Sequence, residues 1–216
     1  MASRTPRAEA PPAGPRLYVR VPRVENPSNF ARDLDTMLGG VDVAAVLLCL
    51  PEAGERAMIE HAKVIAAVVQ PKGIALILDG QPDLVARAGA DGAHLAGIDA
   101  FVAACNRLKP DRIAGAGRLA TRHDAMLAAE RGADYVMFGE PEADGTRPAF
   151  DAIVERVAWW AEVFEAPCVG FAADLDEVAA LAAAGADFVA IDVVPDDAGA
   201  AAVIRKAAER LHTEAT

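Results

Sequence analysis

The residues with the clearest capacity for chemistry follow short apolar runs. His94 lies in the segment 92–95, and Asp79 directly follows another apolar run. Histidine can transfer a proton near neutral pH, and a carboxylate can bind a divalent cation or act as a base. Alternation along an extended chain directs His94 to the face opposite Ala93 and Leu95. We therefore consider both residues as candidates for acid–base or metal chemistry.

Further polar side chains follow the other apolar runs and carry charges of both signs. They are Arg20, Arg23, Glu52, Gln81, Asp99, Arg118, Thr121, Glu140, Glu142, Asp144, Thr146, Arg147, Asp174, Asp192, Asp196 and Asp197. The last three aspartates are either a magnesium cluster or acidic caps of a helix. His123, at a predicted helix start, is either a general acid or base or an exposed first-turn residue.

Eight short apolar runs that could position these residues alternate with longer Ala-, Leu- and Val-rich segments. The predicted strands are 17–21, 44–49, 74–78, 92–95, 112–116, 135–138, 168–171 and 188–191. Segments such as 55–70 and 123–131 place apolar residues three and four apart, which is typical of helices that cover a sheet. This order predicts an α/β fold, a single (β/α)8 TIM barrel over 17–216. A doubly wound open sheet is the alternative, although no G-x-G-x-x-G follows the first run.

A short repeat supports this organisation. The tripeptide Gly-Ala-Asp occurs at 89–91, 132–134 and 185–187, each time after an Ala-rich segment and before an apolar run. Glycine allows the left-handed conformation that ends a helix, and the chain can then enter a buried strand. We interpret the repeat as a structural joint between helix and strand.

Composition limits the classes of function. Of the 216 residues 53% are hydrophobic, which predicts a globular protein, and no apolar run approaches the length of a membrane span. The net charge of −11 argues against nucleic-acid binding. The three widely spaced cysteines indicate reduced thiols and a cytoplasmic protein. The Pro- and Arg-rich residues 1–16 predict a flexible tail, and homo-oligomerisation stays open.

Three segments resemble the thiamine phosphate synthase and TenI family. They are ALILDGQPDLVARAGADGAHL (75–95), GADYVMFGEP (132–141) and PCVGFAADLDEVAALAAAGADFV (167–189). The resemblance implies a (β/α)8 barrel that takes a small phosphate or heterocycle ligand. Synthases of the family join hydroxymethylpyrimidine diphosphate to thiazole phosphate with Mg²⁺, whereas TenI-type members tautomerise a thiazole phosphate with a histidine.

Matching the chain to the family pattern gives a candidate site. The resemblance implies that Asp79 and Asp99 bind Mg²⁺ and that Arg147 stands where a family lysine contacts the diphosphate. We assign catalytic roles to Arg147 and His94. Substrate binding is assigned to Thr146, Arg118 and Gln81.

Several positions depart from the family pattern. The family's Q-x-R-x-K motif meets Leu-Cys-Leu-Pro-Glu at 48–52, two glycines become Ala172 and Ala173, and a serine becomes Val193. Each lost charge-assisted donor costs about 1.5 to 3 kcal/mol, so these losses argue against an ordinary synthase rate. The alternatives are a barrel that binds a metabolite or partner without catalysis, and an isomerase or tautomerase that uses His94 or His123.

Overall fold

Eight parallel strands close into a barrel in sequence order in the computed structural model, which describes residues 14–142, 144–193 and 199–213. The strands are β1 (Arg16–Val21), β2 (Val43–Leu48), β3 (Ala75–Asp79), β4 (Gly92–Ala96), β5 (Ile113–Gly117), β6 (Tyr135–Phe138), β7 (Cys168–Ala172) and β8 (Phe188–Asp192). The pairing of β1 with β8 closes the ring. This confirms the TIM barrel and excludes the open sheet.

Each strand leads into a helix. The helices are α1 (Pro27–Met37), α2 (Glu55–Val69), α3 (Val85–Ala88), α4 (Ile98–Leu108), α5 (Arg122–Glu130), α6 (Phe150–Val163), α7 (Leu175–Ala183) and α8 (Ala200–Thr213). Short 3-10 turns occupy Gln70–Lys72 and Pro82–Leu84. Since none of these helices combines the length and apolar composition of a bilayer crossing, the described residues contain no candidate membrane span.

The apolar residues separate into two layers. The larger layer lies between the helices and the outer surface of the barrel. A smaller one fills the interior with side chains that include Tyr18, Leu47, Tyr135 and Phe171. Because side chains alternate along each strand, the same strands supply both layers, and the last inward residue of a strand reaches the C-terminal mouth.

The Gly-Ala-Asp repeat builds the opposite end of the barrel. In each copy the glycine has a positive φ, between 69° and 93°. The aspartate then accepts one backbone N–H near the start of the neighbouring strand. Asp91 accepts from Leu76, Asp134 from Ala114 and Asp187 from Cys168, each at 2.8 Å. The repeat is therefore a structural joint, as its position in the sequence indicates.

The start of the barrel lies close to the predicted domain boundary. Strand β1 begins at Arg16, one residue before the predicted start. Residues 1–13, which make up most of the predicted flexible tail, lie outside the described residues. The assignment of residues 1–16 as a tail therefore stays a prediction.

Candidate functional site

The ends of five neighbouring strands bring polar side chains to the mouth. Asp79 on β3 is in register with His94 on β4, and Arg20 on β1 is in register with Asp192 on β8. Cys49, directly after β2, donates its thiol to Asp79 over 3.3 Å. The closed sheet thus gathers two carboxylates, an imidazole, a thiol and a guanidinium at one end.

His94 belongs to a buried line of hydrogen bonds. Its Nε2 lies 2.7 Å from Glu140 Oε1, and its Nδ1 lies 3.0 Å from the hydroxyl of Tyr135. The hydroxyls of Tyr135 and Tyr18 are 2.9 Å apart. His94 is only 1% exposed and Glu140 8%. His94 therefore lies on the face opposite Ala93 and Leu95, as strand alternation predicts, and its partner is a carboxylate.

When Glu140 is ionised and His94 is neutral, chemistry determines which atoms along this line donate and which accept. A carboxylate only accepts, so Nε2 of His94 carries a proton and Nδ1 accepts from Tyr135. The hydroxyl of Tyr18 then donates to the oxygen of Tyr135. Burial raises the pKa of both tyrosines, which keeps them protonated. The arrangement therefore orients the His94 ring between Glu140 and Tyr135.

Two glycines on β5 make space for this line. A Cβ on Gly115 would overlap the ring of Tyr135. A Cβ on Gly117 would overlap the Glu140 carboxylate and the His94 ring. The absence of side chains at these positions is what allows His94 and Glu140 to meet across β5.

Arg118 contributes its backbone to the same carboxylate. Its N–H donates to Glu140 Oε2 over 2.8 Å, and its φ is +47°, an unusual value for a residue other than glycine. Its Nε is buried and has no hydrogen-bond partner within the described residues. Arg118, which was predicted to bind substrate, is thus joined to the site by its main chain.

Arg147 is paired with a carboxylate of its own chain. Its Nη1 lies 2.8 Å from Glu177 Oε2, and its Nη2 donates to the carbonyl of Phe171 over 3.1 Å. The same Glu177 oxygen accepts the N–H of Ala173 over 2.7 Å. Asp174 caps α7 by accepting the N–H groups of residues 176 and 177. The N–H groups that follow β7 and the Arg147 guanidinium therefore already have carboxylate partners within the chain.

The ion pair between Arg20 and Asp192 is more open to solvent than the pair of His94 and Glu140. Arg20 Nη1 lies 3.1 and 3.2 Å from the two oxygens of Asp192, and its guanidinium stacks over Phe171. Burial raises the pKa of Asp192 despite the opposing effect of Arg20. Burial and the nearby Asp79 raise the pKa of Cys49 to about 11, so its thiol stays protonated at neutral pH.

Other predicted residues lie farther out. Gln81 is half-buried at the start of the 82–84 turn, and Asp99 is exposed in the first turn of α4. Thr146 is exposed and bonds to Asp144 through its hydroxyl at 2.6 Å. His123 is exposed after Thr121, which caps α5. Asp196 and Asp197 lie outside the described residues.

Asp79 and Asp99 are the residues for which the family resemblance implies Mg²⁺ binding. In the ranges 14–142, 144–193 and 199–213, no three or more His, Cys, Asp or Glu side chains cluster to hold a metal ion. Asp79 already accepts the Cys49 thiol, and Asp99 is an exposed helix residue. The described side chains therefore form no cluster of three such ligands.

Reasoning from the sequence missed three members of the site. Tyr18, Tyr135 and Glu177 were not among its candidates. The tyrosines carried a usable signal: they are the only two in the chain, and both fall inside predicted strands. Glu177 had none, because its role depends on the packing of α7 against the loop after β6.

A cleft of about 800 Å³ opens between the ends of β6, β7 and β8. Its lining includes Arg147, Phe171, Ala173, Asp192 and Val193. It is large enough for a small heterocyclic molecule, and both apolar and charged groups face it.

Comparison with known proteins agrees with this architecture. The chain matches the family model described as thiamine monophosphate synthase over residues 17–192. It is 40% identical over 179 residues to the thiamine-phosphate synthase of Rhodospirillum centenum, covering 82% of this chain and 86% of that protein. It is 34% identical over 205 residues to the thiamine-phosphate synthase of Hyphomonas neptunium, covering 88% and 90%.

Solved structures show the same fold at low identity. The thiamine phosphate pyrophosphorylase of Pyrococcus furiosus superposes with a TM-score of 0.75 at 19% identity, covering 92% of this chain and 96% of that one. The GGGPS of Thermoplasma volcanium gives 0.70 at 13% identity, covering 93% and 94%. From the family match and the similarity to the bacterial proteins, the chain belongs to the thiamine monophosphate synthase family.

Proposed function

We propose that this chain binds a small heterocyclic ligand at the mouth of the barrel and has lost the ordinary coupling of a pyrimidine diphosphate to a thiazole phosphate. The observation that carries the proposal is the contact of Arg147 with Glu177 at 2.8 Å. Arg147 stands where the family resemblance expects the lysine that contacts the diphosphate. Its charge is already compensated within the chain.

The charges around the mouth support this proposal. Carboxylates of Asp79, Glu140 and Asp192 lie there, and the Arg20 guanidinium is paired with Asp192. An incoming diphosphate would be repelled by these carboxylates unless cations intervened. A neutral or cationic nitrogen heterocycle avoids that repulsion, and its N–H groups could donate to carboxylate oxygens.

A direct assay tests the proposal. Purified protein is mixed with hydroxymethylpyrimidine diphosphate, thiazole phosphate and Mg²⁺, and formation of thiamine phosphate is followed, with the Rhodospirillum centenum protein as positive control. We expect no product above the reaction without protein. In parallel, the non-phosphorylated pyrimidine and thiazole alcohols should raise the melting temperature more than the phosphorylated compounds do. Turnover by this chain at a rate near the control would overturn the proposal.

The synthase reaction itself is the second candidate, and the 40% identity to a protein named thiamine-phosphate synthase favours it. In that case Asp79 and Asp99 would bind Mg²⁺, and Thr146 and Arg147 would hold the diphosphate. Arg147 would first have to leave Glu177. The same assay decides, because an Arg147→Ala variant must then lose the turnover that the wild-type protein shows.

An isomerase reaction has narrower support. Of the two histidines considered for it, His94 contacts a carboxylate at 2.7 Å, whereas His123 is exposed on α5. A carboxylate partner orients an imidazole for proton transfer. If a proton-transfer activity is found, His94→Asn should abolish it and His123→Asn should leave it intact.

A further inference from the structure

We propose that Glu177 sets the ligand specificity of the mouth by acting as an internal substitute for a phosphate group. Its carboxylate occupies the donors of Arg147 and Ala173, so that a phosphate-bearing ligand is excluded. This inference rests on the proposed function, because it identifies the residue that prevents phosphate ligands from binding at the mouth.

The contacts of Glu177 are those of a bound anion. Oε2 accepts Nη1 of Arg147 at 2.8 Å and the N–H of Ala173 at 2.7 Å. A guanidinium and a backbone amide that meet at one oxygen also form a common way of binding phosphate. The side chains of Arg147 and Glu177 are 19% and 16% exposed, so solvent screens this pair less than it screens surface pairs.

The carboxylate leaves a donor of Arg147 unused. Nε of Arg147 is buried and has no hydrogen-bond partner within the described residues. A carboxylate has two oxygens, whereas a terminal phosphate group offers three. A phosphate in this place would therefore have an additional acceptor for the guanidinium.

The N-terminus of α7 does not contribute to the inferred anion position. The N–H groups of residues 176 and 177 donate to Asp174 Oδ1 at 2.9 Å. These donors stay occupied when Glu177 is removed. The inferred anion position consists of the Arg147 guanidinium and the Ala173 amide.

The cleft gives a ligand access to this position. Arg147 and Ala173 both line the cleft of about 800 Å³, together with Phe171 and Asp192. Removing the carboxylate at position 177 would leave a cation and an amide donor beside a space that can hold a small molecule. The specificity of the cleft would then shift toward phosphate monoesters.

Inorganic phosphate is the probe for this inference. Its binding to the full-length protein is measured by isothermal titration calorimetry for the wild-type protein, Glu177→Ala, and Glu177→Ala combined with Arg147→Met. We expect affinity to rise at least about tenfold in Glu177→Ala, since one charge-assisted contact of about 1.5 kcal/mol gives that factor. The gain should disappear in the double variant.

A matched control removes a carboxylate from a different arginine. Glu155 pairs with Arg122 at 2.7 Å, with side chains 74% and 47% exposed. Glu155→Ala changes the net charge by the same amount and should leave phosphate affinity unchanged. If Glu177→Ala does not fold, Glu177→Gln keeps the shape of the side chain without its charge and should also bind phosphate more tightly than the wild-type protein.

Phosphate binding as tight in the wild-type protein as in the folded Glu177 variants would overturn the inference, and so would an equal gain in Glu155→Ala. The titration requires no turnover, so it is separate from the coupling assay. Turnover by the wild-type protein would contradict the proposed function, whereas the titration reads only whether Glu177 excludes phosphate.

Discussion

The two ends of the barrel use the same interaction in different ways. At the N-terminal end, three aspartates in one repeated tripeptide each accept a backbone N–H of the neighbouring strand at 2.8 Å. At the mouth, Glu140 and Glu177 also accept backbone N–H groups, and their second partners are the two predicted catalytic residues, His94 and Arg147. At the N-terminal end, the second partner of Asp134 is Lys109. One end repeats a structural joint, and the other combines the same acceptor with groups that can do chemistry.

This difference separates contacts that recur along the chain from contacts that occur once. The joints depend on the strand and helix ends that they connect, so they recur wherever that connection recurs. The carboxylates of the mouth depend on partners far away in the sequence, and no repeated tripeptide supplies them. Substitutions at the two ends of the barrel measure how much each kind of contact stabilises the fold.

The largest effect is expected at the mouth, for Glu140→Ala. The substitution leaves Nε2 of His94 and the N–H of Arg118 without their acceptor in a buried environment. Each unsatisfied group costs about 1 to 3 kcal/mol, so unfolding free energy should fall by about 2 to 4 kcal/mol in urea titrations. Glu142→Ala, at an exposed neighbour, should change it by less than about 0.5 kcal/mol. Equal effects of the two substitutions would show that the buried pair does not stabilise the fold.

An intermediate effect is expected at the other end, for Asp134→Ala. The carboxylate accepts the N–H of Ala114 at 2.8 Å and pairs with Lys109 at 2.6 Å. Its removal should cost about 2 kcal/mol and should speed hydrogen exchange at the amide of Ala114. Asp111→Ala, at an exposed position nearby, serves as the control. Unchanged exchange at Ala114 would remove the structural role assigned to the repeat.

The smallest effect is expected for Asp192→Asn, and it should depend on pH. Burial raises the pKa of Asp192 above its value in the unfolded chain, so the folded protein binds this proton more readily than the unfolded chain does. Lowering the pH from about 7 to about 4 should therefore stabilise the wild-type protein relative to Asp192→Asn. The side chain is 45% exposed, so the change should be small. Paired urea titrations at the two pH values measure it, and the opposite sign would contradict the role of burial.

The sequence predicted the barrel well because its signals are local. The predicted strands all exist, with ends within about one residue of the observed ones, since apolar runs and helical spacing reflect burial directly. Strand alternation also predicted that His94 lies on the face opposite Ala93 and Leu95. The partners of His94 and Arg147 could not be predicted. Glu140 and Glu177 lie 46 and 30 residues away from them, and only the closed sheet and the packing of α7 bring each pair together.

Gly117 limits which side chains can stand at positions 94 and 140. Because a Cβ there would overlap the Glu140 carboxylate and the His94 ring, the contact between these two side chains as it stands requires glycine at 117. Among relatives, an alanine or larger residue at this place should be accompanied by a different residue at position 140. Transferring Glu140 alone into such a relative should fail, whereas transferring it together with Gly117 should reproduce the pair with histidine.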